Sequence, residues 1–204
     1  MFCTRLLAIL SIVLAAGNAY GGFDFEIKTF KGAVAQSSFV VGDTVTVRVN
    51  LVDDGTPPPN FTTDTLQSFT ATLAANSTEP NSGLPATFNS QFNASTNTFG
   101  ADFTAAGGVG FTGSATGAGF LPTSSTPLFE FSYTPIALGN TTFSFVPGLG
   151  TNSASFVEPG SFPVEFPAGG LASSSISVSA VPEPTAGSLL LLGAVGMGFR
   201  RRRR

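Results

Sequence analysis

Apolar and polar residues alternate with a period of two along the middle of this chain, the pattern of strands with one face in a core and the other in water. The segment from Thr44 to Val52 (TVTVRVNLV) shows it most fully: Val45, Val47, Val49 and Leu51 fall on one face, and Thr44, Thr46, Arg48 and Asn50 on the other. The same spacing recurs in Phe23-Phe25-Ile27, Phe69-Ala71-Leu73, Phe99-Ala101-Phe103, Phe129-Phe131-Tyr133, Phe143-Phe145, Phe162-Val164-Phe166 and Ile176-Val178-Ala180, which makes eight predicted strands. Turn-forming clusters separate them: Gly42-Asp43, Asp53-Asp54-Gly55 with Pro57-Pro58-Pro59, Pro80-Asn81-Ser82-Gly83, Gly139-Asn140 and Pro147-Gly148. No 3.6-residue apolar period appears outside the two ends. Such strands bury their apolar faces by stacking two sheets, so the expected fold is all-β, an antiparallel β-sandwich or jelly roll. Val45, Val47, Val49, Phe129, Phe131 and Phe143 are expected inward and Arg48 outward.

The two ends break this pattern. Arg5 precedes an apolar run from Leu6 to Ala16 (LLAILSIVLAA), the length of a secretory signal helix and too short to span a bilayer. Small residues at Gly17 and Ala19 place the cleavage between Ala19 and Tyr20, so residues 1–19 read as a signal peptide and imply passage through export machinery and a signal peptidase. Cys3 precedes the apolar run instead of following it, so the lipoprotein pattern is absent.

At the other end, Val181-Pro182-Glu183-Pro184 is followed by an uncharged run, Thr185 to Phe199 (TAGSLLLLGAVGMGF), and then by Arg200, Arg201, Arg202, Arg203 and Arg204. As a helix that run is about 22 Å long, short of the ~30 Å hydrocarbon layer, and it spans only if the arginines snorkel or the bilayer thins. The arginine block is a stop that stays cytoplasmic and leaves the preceding domain outside. Pro182 and Pro184 lack amide donors, so the motif itself is expected to be extended and open to a processing enzyme. This order of features resembles the PEP-CTERM sorting signal, with Pro182-Glu183-Pro184 as its tripeptide. The resemblance implies recognition by an exosortase, a membrane protease-transpeptidase, together with exopolysaccharide-producing, biofilm-forming bacteria and glycosylation of the exported part. It divides the chain into a signal peptide at 1–19, an extracellular β-sandwich at 20–180, and a sorting signal at 181–204 with a short transmembrane helix at 185–199.

Composition narrows the chemistry of the middle. Six of the nine basic residues lie in the terminal segments, which leaves Lys28, Lys31 and Arg48 against twelve acids and a charge of −9 on the exported part. That balance repels nucleic acid. Histidine is absent and the one cysteine, Cys3, belongs to the signal, which excludes the usual Ser-His-Asp and Cys-His systems and the common zinc sites. Without thiols the domain has to hold without disulfides, which a core of roughly 160 residues allows. Adjacent Asp53 and Asp54, beside Gly55 and three prolines, read as turn residues. Ca²⁺ is the one metal for which loop acids such as Asp53, Asp54, Asp64 and Asp102 offer suitable oxygens, but no EF-hand loop occurs and no site is assigned. No cofactor is expected. Asn60, Asn76, Asn93 and Asn140 head N-x-[ST] sequons, which chance produces readily in a chain so rich in Asn, Ser and Thr. Gly107-Gly108 and the Gly113 to Gly119 stretch lack a Walker lysine and read as β connections.

The segment order also resembles the cohesin-like β-sandwiches of bacterial surface proteins, on Val41-Gly42-Asp43-Thr44-Val45-Thr46-Val47, Leu66 to Leu73, Pro127 to Thr134 and Gly139 to Phe145. The resemblance carries architecture only, since no dockerin-contacting motif has a counterpart here. The expected protein is a non-enzymatic structural or adhesive module of the cell surface or matrix, with exopolysaccharide or another surface protein as its partner. The alternative is a secreted carbohydrate-active enzyme that uses paired carboxylates, for which two acids would have to share a concave pocket.

Overall fold

The computed structural model describes residues 22–76, 86–98, 108–147 and 152–180, and within them the chain forms fourteen strands and no helix. One sheet contains β1 (Phe23–Lys31), β2 (Val34–Ala35), β4 (Val45–Asp53), β6 (Thr87–Phe88), β9 (Ser125–Tyr133) and β13 (Gly170–Ala172). The other contains β3 (Ser38–Val40), β5 (Thr65–Ala75), β7 (Ala94–Thr98), β8 (Val109–Ser114), β10 (Gly139–Phe145), β11 (Ser153–Val157), β12 (Val164–Pro167) and β14 (Ser174–Ser179). The first sheet runs β13-β1-β4-β9-β6, with β2 folded back on β1; the second runs β12-β11-β5-β10-β14-β3, with β8 and then β7 beyond β5. We call them the charged sheet and the hydroxyl sheet, for reasons given below.

The period-two pattern is what stacks them. Val45, Val47, Val49 and Leu51 are fully buried, and so are Phe23 and Phe25, while Phe129, Phe131 and Phe143 are nearly so. Phenylalanine rings fill the gap between the sheets: Phe129 of the charged sheet stacks on Phe111 of the hydroxyl sheet with centroids 4.1 Å apart, and Phe69 lies 5.8 Å away on the same ring. Gly113 makes room for this cluster, since a Cβ there would sit 2.4 Å from the Phe69 ring. Offset and edge-on contacts of this kind add to area burial because the ring quadrupoles prefer them.

Three features depart from the sequence expectation. The sandwich is not wholly antiparallel, since β1 pairs with β13, and β14 with β3, in parallel. Both pairs lie at sheet edges, where a strand arriving from the opposite sheet can pair in either sense. Phe162 does not continue the strand alternation; it precedes β12 and is 88% exposed. Strands at Val109–Ser114 and Ser153–Val157 lie where no strand was predicted, because glycine in the first and a short Ser/Ala run in the second hide the alternation. The expected strand at Phe99-Ala101-Phe103 lies outside the described residues.

Strands β10 and β11 lie end to end along a single edge of β5. Leu73 pairs with both Val109 and Phe145, and Thr70 with both Thr112 and Ser153, so β8 takes one edge while β10 and β11 share the other. Buried Asn152 bridges that junction, accepting from the Thr72 N–H at 3.0 Å and donating to the Val146 carbonyl at 2.7 Å. A side-chain amide carries both a donor and an acceptor, so it can replace one backbone step of the ladder.

The registers also fix the two ends of the sandwich. At one end lie the close of β1, the β3–β4 turn, the β9–β10 connection and the close of β14, joined by Val41 N–H to Ser179 O and Gly42 N–H to Pro135 O. At the opposite end lie Gly22, the corner from Asp53 to Asp64, and Glu158. The described chain enters at the second end and leaves, at Ala180, from the first.

Candidate functional site

The outward-facing side chains of the two sheets differ in kind. On the charged sheet, β1, β4 and β9 place Asp24, Glu26, Lys28, Arg48 and Glu130 outward, with Arg48 opposite both Lys28 and Glu130 in the registers. Lys28 pairs with Glu26 at 2.8 Å, and Arg48 donates from Nη2 at 2.8 Å and from Nε at 2.9 Å to Glu130 Oε2. The Arg48 guanidinium also lies 4.7 Å from the centroid of the Phe30 ring. Both ion pairs are solvated, so each contributes no more than about 1 kcal/mol; their effect is to neutralise two of the three basic residues of the domain. Lys31 is the third, and it pairs with Asp43 at 2.7 Å. That ammonium, hydrogen-bonded to the carboxylate, and then the Val40 N–H hold the Asp43 carboxyl below its ordinary range.

The hydroxyl sheet presents Ser and Thr instead. Register partners on its outer face run Thr96, Thr112, Thr70, Ser153 across β7, β8, β5 and β11, and Ser114, Ser68, Ser155 beside them. Thr142, Ser175, Ser177 and Ser38 continue the face across β10, β14 and β3. Among the described residues, Glu165 at the β12 edge is the one ionisable side chain in these rows, and it accepts from the nearly buried Ser153 hydroxyl at 2.5 Å. Hydroxyl pairs such as Thr96–Thr112 and Thr142–Ser175, 2.7 and 2.8 Å apart, tie neighbouring strands. No aromatic ring faces outward in these rows. The sequence carried a signal for this surface, since Thr70-x-Thr72, Thr142-x-Ser144, Ser153-x-Ser155 and Ser175-x-Ser177-x-Ser179 are uncharged polar alternations. The signal is weak because short hydroxyl alternations recur throughout a chain so rich in serine and threonine, in loops as well as strands.

The acidic corner is built as a turn. Asp53 Oδ1 accepts from Gly55 N–H at 2.8 Å, and Asp54 Oδ1 accepts from the Thr56 amide at 2.7 Å and its hydroxyl at 2.5 Å. Asp64 is buried, with Oδ2 accepting from Asn60 N–H and Oδ1 from the Thr63 hydroxyl, each at 2.8 Å. An open groove of about 400 Å³ between Pro57, Pro58, Asn60, Thr63 and Pro159 is bordered by Asp64 and exposed Glu158, so two acids do share a concavity. Both oxygens of Asp64 are, however, engaged in holding the turn. Among the described residues no group of three or more acids is placed to hold a metal ion, and Asp102 lies outside them. Of the sequon asparagines, Asn60 accepts from both the amide and hydroxyl of Thr62, Asn76 accepts from the Thr142 amide, and Asn93 donates to the Thr116 hydroxyl.

The remaining predicted positions lie outside the described residues: the cleavage pair Ala19 and Tyr20, the motif Val181, Pro182, Glu183 and Pro184, the run 185–199, and the stop Arg200 to Arg204. No helix among the described residues is long and apolar enough to cross a membrane. Comparison with known families decides what the carboxy-terminal segment is similar to. Residues 180–204 match the PEP-CTERM protein-sorting motif. For the sandwich, a cohesin module from a Clostridium perfringens family 33 glycoside hydrolase superposes with a TM-score of 0.52 at 12% identity, covering 79% of this chain and 99% of that module. A type II cohesin domain from the cellulosome of Acetivibrio cellulolyticus gives 0.47 at 12% identity, covering 76% and 94%. No curated protein sequence matches the chain. The PEP-CTERM segment thus stands behind a cohesin-like β-sandwich.

Proposed function

We propose that this chain is an exported, non-enzymatic surface protein, held in the membrane as a precursor through residues 185–199 and processed at Pro182-Glu183-Pro184 by an exosortase-type enzyme. The sandwich then serves in the cell-surface or exopolysaccharide layer as an adhesive or structural module. The observation that carries this reading is the sorting motif at 180–204, placed directly after the last strand of the sandwich. An apolar run closed by arginines is what a membrane-held precursor requires, because each arginine is costly to translocate. The cohesin-like fold supports a binding role, and the hydroxyl sheet supplies a broad uncharged face for it. The carboxylate-enzyme alternative is weakened by Asp64, whose oxygens already serve the corner.

Changing Pro182, Glu183 and Pro184 together to alanine tests the reading in a host that contains the sorting enzyme. The hydrophobic run and the arginine block stay intact, while the extended, helix-breaking element is lost. The variant is expected to accumulate uncleaved in the membrane fraction. If it is trimmed and released like the unaltered protein, the segment is an ordinary anchor and the sorting role is wrong.

A further inference from the structure

Val34, Ile136 and Leu138 are 64%, 70% and 64% exposed, and all three lie at the end of the sandwich from which the chain leaves. Val34 is the register partner of Lys31 where β2 folds back on β1. Ile136 and Leu138 occupy the β9–β10 connection, whose Pro135 accepts from Gly42 and whose Gly139 pairs with Val178 of β14. The last described residue, Ala180, follows β14 by one position. Only Val181 to Pro184 separate it from the apolar run that begins at Thr185. Five residue steps reach at most about 18 Å, so whatever holds residue 185 in a bilayer also holds this end of the sandwich against it.

Charge is distributed to match. Among the described residues the ionisable groups at this end are Lys31 and Asp43, which neutralise each other at 2.7 Å. Asp53, Asp54, Asp64 and Glu158, none of them ion-paired, lie at the opposite end. An acidic domain tethered to a surface that carries anionic lipids is repelled least when its acids point away. Exposed aliphatic side chains gain by entering the interfacial layer.

We infer that the end formed by Val34, Ile136 and Leu138 faces the lipid bilayer in the membrane-held precursor, with these side chains seated in the interface and the acidic corner directed outward. The inference rests on the anchored-precursor reading above. Three aliphatic side chains are too few to hold a free domain on a membrane; the anchor supplies the effective concentration that makes their contact count. The seated end keeps the residue 181–184 segment at the bilayer surface, within reach of a membrane-embedded enzyme. The other exposed apolar side chains lie away from the exit: Phe162, Val164 and Leu171 along the β12 and β13 edges, and Leu121 beside the Leu66–Phe120 bridge.

The test uses the precursor left after signal cleavage, residues 20–204, which contains no cysteine of its own, reconstituted in vesicles of phosphatidylethanolamine and phosphatidylglycerol that contain lipids spin-labelled near the headgroup. A solvent-sensitive dye is attached at Ile136→Cys in one sample and at Phe162→Cys in another, both exposed positions at which the fold is not at risk. The dye at 136 is expected to be quenched at least about twofold more strongly than that at 162, and to emit further to the blue. A dye at Val34→Cys should show the same quenching, and lose it when Ile136→Ser and Leu138→Ser are added. Precursor that resists alkaline extraction but shows equal quenching at 136 and 162 overturns the facing end alone. Precursor that washes off the vesicles overturns the anchor as well.

Discussion

Replacing Phe129 by alanine measures how far the sandwich depends on ring packing between its sheets. Phe129 is 2% exposed and meets the rings of three other strands: Phe111 of β8 at 4.1 Å and 17°, Phe69 of β5 at 5.8 Å and 7°, and Phe88 of β6 at 5.8 Å and 39°. Truncation loses the transfer free energy of the ring and leaves a cavity that sheets fixed by their ladders fill only in part, about 3–5 kcal/mol for a buried phenylalanine. The ring contacts, each worth about 0.5–1.5 kcal/mol beyond area, place it at the upper end of that range. For a domain of this size the loss corresponds to a fall in Tm of roughly 6–20 °C. Phe162→Ala, at a residue 88% exposed, is the control and is expected to stay within about 0.5 kcal/mol of the parent. Because the chain has no tryptophan, urea unfolding is followed by far-ultraviolet circular dichroism. A Phe129→Ala midpoint matching that of Phe162→Ala, at unchanged slope, would refute the claim that this ring cluster couples the two sheets.

Gly113→Ala tests the same cluster by overfilling it: the new methyl would lie 2.4 Å from the Phe69 ring and 3.1 Å from Phe92, and a loss of about 1–3 kcal/mol is expected in the same urea assay. The Lys31–Asp43 pair gives a pH dependence whose sign is fixed. With the folded carboxyl below its ordinary range, its contribution is present above the unfolded pKa and disappears as pH falls through the folded one. Asp43→Asn should therefore flatten the acid limb of the stability profile below about pH 4; an acid limb identical to the parent's would exclude this pair as a contributor.

Strands were legible wherever large apolar residues alternate with polar ones, as in Thr44 to Val52, because burial of one face is written directly into that period. They were illegible where small residues do the facing. In β8, Gly113 turns inward to accommodate Phe69, and in β11 it is Ala154 that fills the inner position, so neither segment shows an apolar comb. Phe162 departs in the other direction: its spacing to Val164 and Phe166 fits an inward row, but the strand begins only at Val164, itself half exposed, and Phe162, two residues earlier, is free to leave the core. The turn role of Asp53 and Asp54 was readable from Gly55 and the prolines. The grouping of Asp64 with Glu158 was not, because it depends on β11 returning beside β5. For the carboxy-terminal motif, order and composition alone carry the match, since a Pro-Glu-Pro tripeptide, a short apolar run and an arginine cluster are read directly from the sequence.

The division of charge between the two outer faces bears on what the sandwich could do in the proposed role. All three cations of the domain are held in ion pairs with Glu26, Glu130 and Asp43, so an acidic polymer that binds by charge has to compete with a carboxylate already in place at each of them. The hydroxyl face meets no such limit, because among the described residues its rows carry one ionisable group, Glu165 at the edge, and can donate and accept through serine and threonine hydroxyls. Among the described residues it has no outward aromatic ring to stack on sugar rings, and each hydrogen bond exchanged with water is worth only about 0.5–1.5 kcal/mol net. A single domain in the proposed role is therefore a weak binder of any hydroxyl-rich matrix. In that proposed role, retention would come from many copies at one surface, where a second contact made while the first persists raises the apparent affinity by about 10²–10⁴ without any new kind of contact.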